Sequence, residues 1–389
     1  MRLTGLRVTV AGAGIGGAAT ALLFARAGAE VTVVERVSDP KAVGAGILLQ
    51  PNGLAVLYGL GLGEELRERG FVDRAGVVRT QGGRVLLSNA LPDFGHGLDH
   101  FLVVRRTHLF SVLVDALTKE PGIDLRLGEA LVSVDRNAAA VLSSGSSVTA
   151  DLFIGADGAH SAARAALQLG DAVLDSDTQY LRTVIESQTV AELSETWTEL
   201  GLFGSAPVGD GTYFFCGTRA APVRAALARS DLDSLRDAWS SVFPPGRALL
   251  ERVHSFDDLL LNDVVTVRCS AYHDGSSALL GDAAHAMAPN AGQGANSALV
   301  DAAVLVASVR DADDVPSALH AYTKRRHDKV KFVQRLSGRL ARLAAVRSRS
   351  GRRLRDAVVH ATAPVTGSRR QLDRLMQEPP SELFDIASG

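Results

Sequence analysis

The feature that most constrains the fold is a glycine-rich turn between a strand and a helix near the start of the chain. Residues 6–11 (LRVTVA) are an apolar run typical of a buried parallel strand, and GAGIGG follows at once. Residues 18–27 are predicted as a helix, and Gly28 lies where a helix stop is expected. Residues 31–35 form a second, β-branched strand, so this order predicts a βαβ unit of about 30 residues.

The glycines have the spacing of a dinucleotide-binding loop. Gly12, Gly14 and Gly17 fit G-x-G-x-x-G, where missing side chains let a pyrophosphate approach the backbone N–H groups at the helix start. Glu35 ends the next strand, where a carboxylate can accept hydrogen bonds from an adenosine ribose. The glycine pattern alone also fits a structural turn. Together with Glu35, it favours a bound dinucleotide.

The chain of 389 residues is long enough for two or three hydrophobic cores. Strands and helices follow the βαβ unit, short strands dominate from residue 178 to 270, and helical patterns dominate from Gly294 onward. We therefore predict an α/β (α+β) fold. It comprises a discontinuous, Rossmann-like cofactor-binding domain (1–177 and 271–310), a β-sheet substrate domain (178–270) and C-terminal helices (311–389).

Composition excludes several classes of protein. A net charge of −2 with 46% hydrophobic residues is typical of a soluble globular protein and indicates no nucleic-acid partner. The sequence contains no run of about 18 apolar residues, so a membrane span is not expected. Glycines interrupt the apolar start of the chain, which disfavours a signal peptide, and a cytoplasmic location is expected. Cys216 and Cys269 lack ligands at metal spacing, which indicates free thiols and no metal site.

A second loop with anion-binding character covers residues 281–296 (GDAAHAMAPNAGQGAN). Asp282 directly follows an apolar strand, then come Pro289 and several Gly or Asn residues, and a helix is predicted from about Gln293. The N–H groups of such a loop point toward one spot, and a helix N-terminus favours negative charge. The loop would therefore stabilise an anionic ligand by electrostatic preorganisation.

Four separated segments resemble the single-component, FAD-dependent aromatic hydroxylases of the para-hydroxybenzoate hydroxylase type. They are GAGIGG, GADGAHSAAR (155–164), the 281–296 loop and RTHL, which begins at Arg106. The resemblance covers residues 12–302 and implies FAD as the cofactor, with Asp157 also serving the nicotinamide nucleotide. The FAD-binding residues that it implies are Gly12, Gly14, Gly17, Glu35, Arg36, Gly46, Leu48, Arg106, Asp157, Asp282, Gly292, Gly294, Ala295 and Asn296.

The resemblance also implies a reaction. NADPH or NADH reduces FAD, O2 adds at the flavin C4a atom, and the hydroperoxide delivers one oxygen atom to a small aromatic or polyketide-like substrate, most simply as a hydroxylation. The cofactor supplies the difficult chemistry, so the protein must provide a dry pocket and a contact that fixes or deprotonates the substrate. The sequence does not distinguish NADH from NADPH, and it does not name the substrate.

Substrate contacts are expected from the middle segment. Arg182, Tyr213, Phe215 and His273 lie on or near its strands and are the candidates, although the aromatic residues fit a core equally well and Arg182 fits a surface charge. By the same resemblance, Pro289 is expected beside the flavin face. His285 is expected to pack against the site instead of serving as a base.

Other functions stay open. Epoxidation or Baeyer–Villiger oxidation fits the same motifs, and a flavin dehydrogenase that avoids oxygen transfer is a third enzymatic option. A redox-inactive FAD-binding protein could instead bind a partner through residues 324–355, where thirteen Lys or Arg residues accompany one acidic residue. That segment is predicted as a solvated helix face, with docking on an acidic partner or sister subunit as the alternative. The chain is expected to be a monomer or a homodimer.

Overall fold

The computed structural model describes residues 1–39, 44–187 and 190–389, with the side chains of residues 89 and 174–178 left out. The strands are β1 (Arg7–Ala11), β2 (Glu30–Glu35), β3 (Gly46–Leu49), β4 (Phe71–Asp73), β5 (Ala75–Thr80), β6 (Val85–Ala90), β7 (Phe101–Arg105), β8 (Ile123–Leu127), β9 (Leu131–Val134), β10 (Ala139–Leu142), β11 (Ser147–Thr149), β12 (Leu152–Gly155), β13 (Gly170–Ile185), β14 (Ser194–Thr198), β15 (Gly201–Val208), β16 (Gly211–Gly217), β17 (Leu260–Cys269), β18 (His273–Asp274) and β19 (Ser277–Leu279). The α-helices are α1 (Ile15–Arg26), α2 (Pro51–Gly59), α3 (Gly63–Glu68), α4 (Arg106–Lys119), α5 (Ala162–Ala166), α6 (Ala221–Ala228), α7 (Leu232–Val242), α8 (Pro245–Leu250), α9 (Asp282–His285), α10 (Gly294–Asp311), α11 (Val315–Ala344), α12 (Arg349–Thr366), α13 (Arg369–Met376) and α14 (Pro380–Ser388).

The predicted βαβ unit forms the centre of a six-stranded sheet. Its strand order is β18-β19-β12-β1-β2-β8, and every pair except β18 with β19 is parallel. Strand β1 is buried after its first residue, as expected for a strand covered on both faces. Helices α1 and α4 contact each other, and α1 also contacts α10. The mixed α/β fold class predicted from the sequence is confirmed.

A seven-stranded sheet forms the second half of the molecule. Its order is β17-β13-β16-β15-β14-β5-β6, and it is antiparallel except where β14 pairs with β5. The hairpin at residues 75–90, which the sequence assigns to the cofactor-binding segment, forms one edge of this sheet. Strand β13 begins at Gly170 and runs across the boundary placed at 178. Backbone hydrogen bonds between distant segments set this arrangement, so local patterns do not reveal it.

Helices α6, α7 and α8 cover one face of this sheet. Phe203 and Phe214 point into that layer and contact each other, and Trp239 meets Phe203 edge to face. One helical pattern in this region, from Ser230 to Val242, is visible in the sequence and coincides with α7. The short helices α6 and α8 were missed because eight and six residues carry little periodic signal.

The chain after α10 is helical, as predicted. The 30-residue helix α11 contacts α10 and the turn at Pro289–Ala291, and α14 returns to contact α2. Within the described ranges, no helix is long and apolar enough to cross a membrane.

Candidate functional site

Three of the four segments that carry the family resemblance meet at one edge of the six-stranded sheet. Ala11, Gly155 and Leu279 occupy one row across the parallel strands β1, β12 and β19. The segments that follow these strands therefore leave the sheet at the same edge. Ligands of open α/β sheets bind at such carboxyl ends. The structure thus brings the segments containing Gly12, Asp157 and Asp282 together, although they are far apart in sequence.

The first glycine loop is tightly constrained. Gly12 has φ +102°, and a Cβ added there would lie 2.5 Å from the carbonyl oxygen of Ala156. A Cβ at Gly17 would lie 1.9 Å from the oxygen of Gly12, so neither position accepts a side chain. A Cβ at Gly14 would meet nothing within 4 Å. The open space lies at the N-cap of α1, where a pyrophosphate would bind.

Glu35 already has backbone partners in this loop. Its carboxylate accepts hydrogen bonds from the N–H groups of Ala13 (2.8 Å) and Val37 (3.0 Å). These bonds orient the side chain at the end of β2, beside the glycine loop. Arg36 is exposed.

The two carboxylate oxygens of Asp157 have different surroundings. Its Oδ2 accepts hydrogen bonds from the N–H groups of Ala162 (2.7 Å) and Ala163 (3.1 Å) at the start of α5. Its other oxygen, Oδ1, is buried and has no hydrogen-bond donor within the described part of the chain. A buried acceptor without a donor is costly, so Oδ1 is suited to a ligand hydroxyl.

Asp282 is the first residue of α9 and is exposed. Among the residues that the structure describes, none forms a hydrogen bond or ion pair with its carboxylate. The neighbouring Ala283 is held from behind, because the guanidinium of Arg164 donates to its carbonyl oxygen at 2.9 Å. The 155–164 segment and the 281–296 loop are therefore joined, and the carboxylate of Asp282 is left free to bind a ligand.

The loop before α10 ends in open N–H groups. A Cβ at Gly294 would meet nothing within 4 Å, and Ala295 follows it in the first turn of this 18-residue helix. Gly292 adopts φ +63°, which a left-handed helix cap requires. The loop thus presents the positive end of a long helix dipole.

The side chain of Asn296 is engaged in contacts within the protein. It is fully buried, and its Oδ1 accepts a hydrogen bond from the N–H of Gln50 at 2.9 Å. Its Nδ2 donates to the carbonyl oxygens of Leu48 (3.0 Å) and Gly292 (2.7 Å). Asn296 therefore joins the loop to the end of β3, and its side chain acts by positioning both.

Strand β3 lies between the 281–296 loop, called the flavin loop below, and the seven-stranded sheet. A Cβ at Gly46 would lie 2.4 Å from the ring of Tyr213, so this glycine lets the aromatic ring lie against the strand. Tyr213 is only 9% exposed, and burial raises the pKa of its phenol. Arg106 is exposed, and its N–H donates to the oxygen of Ala45 at 2.9 Å, at the start of α4.

One face of the seven-stranded sheet presents a row of candidate substrate contacts. Glu195, Gly204, Phe215 and Arg182 are directly opposite one another across β14, β15, β16 and β13. Tyr213 lies on the same face, because side chains on one strand alternate. A Cβ at Gly204 would lie 2.1 Å from the Phe215 ring, so that ring extends over the glycine toward Glu195.

A hydrogen bond joins the same face to the flavin loop. The hydroxyl of Tyr180 donates to Oδ1 of Asn290 at 3.0 Å, and Asn290 belongs to the short turn Pro289–Ala291. Tyr180 is two residues from Arg182 on β13 and shares its face. The structure therefore joins the face that carries Arg182 and Tyr213 to the turn that begins at Pro289, and the region between this face and that turn is called the candidate cleft.

The structure places His273, which is predicted as a substrate contact, away from the sheet face that carries Arg182 and Tyr213. It lies in β18, at the edge of the six-stranded sheet, where Asp274 pairs with Ser277. Its Nδ1 is 2.7 Å from the hydroxyl of Thr323 on α11. A turn after β17 carries the chain back to the first sheet.

His285 is part of a buried network behind the loop. Its Nε2 is 2.5 Å from Oδ2 of Asp301, and the Nε of Arg326 donates to Oδ1 of that carboxylate at 2.6 Å. All three side chains are at most 1% exposed. This placement agrees with a supporting part for His285.

Two important residues were missed by sequence reasoning. Asp301 had a usable signal, because it is the one acidic residue in the apolar run ALVDAAVLVA, which predicts a buried, paired carboxylate. Glu195 had none, because SETWTEL resembles a polar edge strand. Its side chain borders the cleft, hydrogen-bonds the indole N–H of Trp197, and burial raises its pKa to about 7.

The residues present fit a flavin dinucleotide. Open backbone N–H groups lie at the starts of α1 and α10, where phosphate or an anionic ring edge would be stabilised. Asp157 offers an unpaired buried oxygen and Asp282 an exposed carboxylate, both suited to hydroxyl groups. These four groups surround the edge where β1, β12 and β19 end.

Comparisons with known proteins agree with this geometry. A family model described as an FAD binding domain matches residues 5–337. The chain is 30% identical over 342 residues to the FAD-dependent urate hydroxylase of Mycolicibacterium vanbaalenii, covering 83% of this chain and 85% of that protein. It is 28% identical over 348 residues to 3-hydroxybenzoate 6-hydroxylase 1 of Aquipseudomonas alcaligenes, covering 85% and 87%. A solved variant of 2-methyl-3-hydroxypyridine-5-carboxylic acid oxygenase superposes with a TM-score of 0.80 at 25% identity, covering 97% and 98%.

The first prediction concerns Asp282. Asp282→Ala should weaken FAD retention, because ribityl hydroxyls would lose a charged acceptor worth about 1.5–3 kcal/mol. FAD content after dialysis, read from the flavin absorbance per protein, measures the effect. Asp313→Ala removes an exposed carboxylate elsewhere and should leave the FAD content unchanged. Equal flavin occupancy in both variants would contradict the assignment.

The second prediction concerns the protonation of Glu195. Its pKa is about 7 in the folded protein, above the ordinary 4.5, so the folded state holds this proton more tightly. The resulting stabilisation is complete below pH 4.5 and is lost as the pH rises through 7. Urea titrations should show wild type losing about 1–3 kcal/mol relative to Glu195→Gln between pH 5 and 8.

The control for that experiment is Glu68→Gln, which alters an exposed glutamate on α3. Its unfolding free energy should follow wild type at every pH. If Glu195→Gln also follows wild type, Glu195 does not change its charge in this range.

Proposed function

Because this chain belongs to the FAD-binding-domain family of flavoprotein monooxygenases, we propose that it hydroxylates a small aromatic ring bearing an anionic group. The chain is an FAD-dependent monooxygenase of the aromatic hydroxylase type. It consumes O2 and a reduced nicotinamide nucleotide. The class of ring, the anionic group and the residues that bind them are the proposal.

The single observation that supports it is the link between the flavin loop and the substrate face. The Tyr180 to Asn290 hydrogen bond holds the turn that begins at Pro289 against the sheet face bearing Arg182 and Phe215. A substrate on that face would lie next to the turn. The ring of Tyr213 lies against β3 at Gly46, and such close packing beside the candidate cleft would help to exclude water from the reaction.

The cofactor would be held by groups already described. The N–H groups of the Gly12–Gly17 loop would bind the pyrophosphate, Glu35 the ribose, and Asp282 the ribityl chain. The first turn of α10, at Gly294 and Ala295, would face the ring edge that becomes negative on reduction. When bound and reduced, FAD supplies the activated oxygen.

Two ionisable side chains would orient the substrate. Arg182 and Glu195 lie in one row of the sheet, three strands apart, which is about 14 Å between backbones at the usual strand spacing. The ring of Phe215 lies between them. No carboxylate in the described residues pairs with Arg182, so its guanidinium is available to a carboxylate or similar anion.

Glu195 would handle a proton at the opposite end of the substrate. A carboxyl group with a pKa of about 7 exchanges protons readily near neutral pH, as general bases require. It would accept the proton of a ring hydroxyl and so make the ring richer in electrons. The named relatives support a substrate of this kind, because hydroxybenzoate and a hydroxypyridine carboxylic acid both combine a ring, a hydroxyl and an acid group.

We also propose that the chain acts in the cytoplasm as a monomer or homodimer, as predicted from the sequence. Its cysteines, Cys216 and Cys269, are free thiols, which suits a reducing compartment.

The third prediction tests Arg182. Arg182→Ala should raise the substrate Kd by at least tenfold, because a charged hydrogen bond is worth about 1.5–3 kcal/mol. The flavin spectrum should not change, since Arg182 faces the substrate end of the cleft. Arg84→Ala, at the exposed turn of the edge hairpin, is the matched control and should bind substrate normally. An altered flavin spectrum with normal substrate affinity would place Arg182 at the cofactor instead.

The fourth prediction tests the reaction. The holoprotein is mixed anaerobically with NADPH or NADH and with pairs of hydroxylated rings that have or lack an acid group, while flavin absorbance is followed. We expect the acidic member of a pair to accelerate flavin bleaching, and 18O2 admitted after the reduction to label the product. Equal acceleration by the neutral rings would refute the anionic requirement. An unlabelled product would indicate a dehydrogenase, and a labelled epoxide or ester would indicate another oxygen insertion.

A further inference from the structure

A large cavity lies between α11 and the face of the seven-stranded sheet that carries Tyr180, and neither Arg182 nor Glu195 is among its lining residues. Its volume is about 870 Å³, and its walls include Tyr180, Val264 and Ala288. Ala288 immediately precedes Pro289, so one wall of this cavity, which is called the basic cavity below, belongs to the flavin loop. A volume of this size is within the range of small-molecule sites and can hold a dinucleotide.

The cavity is strongly positive. Seven Lys or Arg residues line it, and no Asp or Glu does among the described residues. Four of them, Lys331, Arg335, Arg339 and Arg342, follow one another at spacings of four, four and three along α11. Residues at such spacings lie on the same helix face, where like charges repel and are destabilising unless something neutralises them.

The basic segment is divided by its partners. Arg325 and Lys329 pair with Glu378, and Arg326 pairs with Asp301. For the four cavity residues on α11, the described part of the chain provides no ion pair. Within the described ranges, carboxylates thus pair with Arg325, Arg326 and Lys329 and not with the cavity face of α11. Such a face is suited to the charge of a ligand.

The cavity helix is also fixed to the flavin loop. The amide of Gln334 donates to the oxygens of His285 (3.1 Å) and Ala286 (3.2 Å). The hydroxyl of Ser337 accepts a hydrogen bond from the N–H of Ala291 at 3.0 Å. These residues alternate along α11 with Arg335 and Arg339. A ligand on the basic side chains would therefore lie beside the loop.

We propose that the basic cavity binds the phosphate groups of the reduced nicotinamide dinucleotide that the reaction consumes. This inference rests on the proposed function for the identity of its ligand. Guanidinium groups bind phosphate oxygens in pairs, and a dinucleotide supplies a pyrophosphate and, in NADPH, one more phosphate. The alternative source of the same chemistry is a phosphorylated substrate.

The test is a binding measurement that needs no turnover. NADP⁺ is titrated into the oxidised holoenzyme by calorimetry for wild type, for Arg335→Gln/Arg339→Gln, and for Arg349→Ala/Arg353→Ala. The last pair removes two exposed arginines of α12 from outside the cavity. We expect the Kd for NADP⁺ to rise at least tenfold in the cavity variant and to stay within twofold of wild type in the control. FAD content and circular dichroism establish that each variant is folded.

A second measurement uses the unaltered protein. Inorganic pyrophosphate should compete with NADP⁺, and the Kd should rise steeply with salt, as expected when phosphates bind several cations. Unchanged NADP⁺ affinity in the cavity variant, or competition of pyrophosphate with the aromatic substrate alone, would overturn the proposal. If NADP⁺ affinity falls in the cavity variant but no aromatic ligand ever stimulates NADPH oxidation, the cavity assignment stands and the proposed function fails.

Discussion

The buried carboxylate of Asp301 is the interaction on which the cofactor-facing structure depends. It accepts hydrogen bonds from Gly281 N–H, His285 and Arg326, and so joins α9, α10 and α11. Burial alone would raise the pKa of Asp301, but His285 and Arg326 outweigh it and lower that pKa to about 2. A buried ion pair stabilises a fold only when it is complete, because removing one partner strands the other charge. The position of the flavin loop is therefore fixed from behind.

The end of the chain contributes to the same support. Gln377 donates hydrogen bonds to the side chains of Gln293 (3.0 Å) and Ser297 (2.8 Å), and Asn52 donates to the oxygen of Met376 at 3.1 Å. These contacts fix the position of Gln293, the residue before α10. The C-terminal helices are thus built into the cofactor half of the fold, which argues against their serving only as a partner-binding extension.

The two faces of the seven-stranded sheet have different surroundings. On one face, Phe203, Phe214 and Trp239 form an apolar core with three helices. On the other, Arg182 and Glu195 lie in one row, and Tyr180 connects the sheet to the flavin loop. Strand geometry makes this possible, because successive side chains point to opposite faces. One helix-covered core can therefore hold a polar row rigidly.

The sequence by itself determined the βαβ unit, the fold class and the family, because these depend on local spacing: Gly12, Gly14 and Gly17 between a strand and a helix, and Asp282 after another strand. Only the tertiary structure decided that the 75–90 hairpin joins the second sheet and that His273 lies away from the cleft. It also decided which arginines are paired, and it gave Glu195 its raised pKa. For Arg182 and Glu195, pairing and burial arise from contacts between distant segments, and the local pattern of residue types around them does not contain that information.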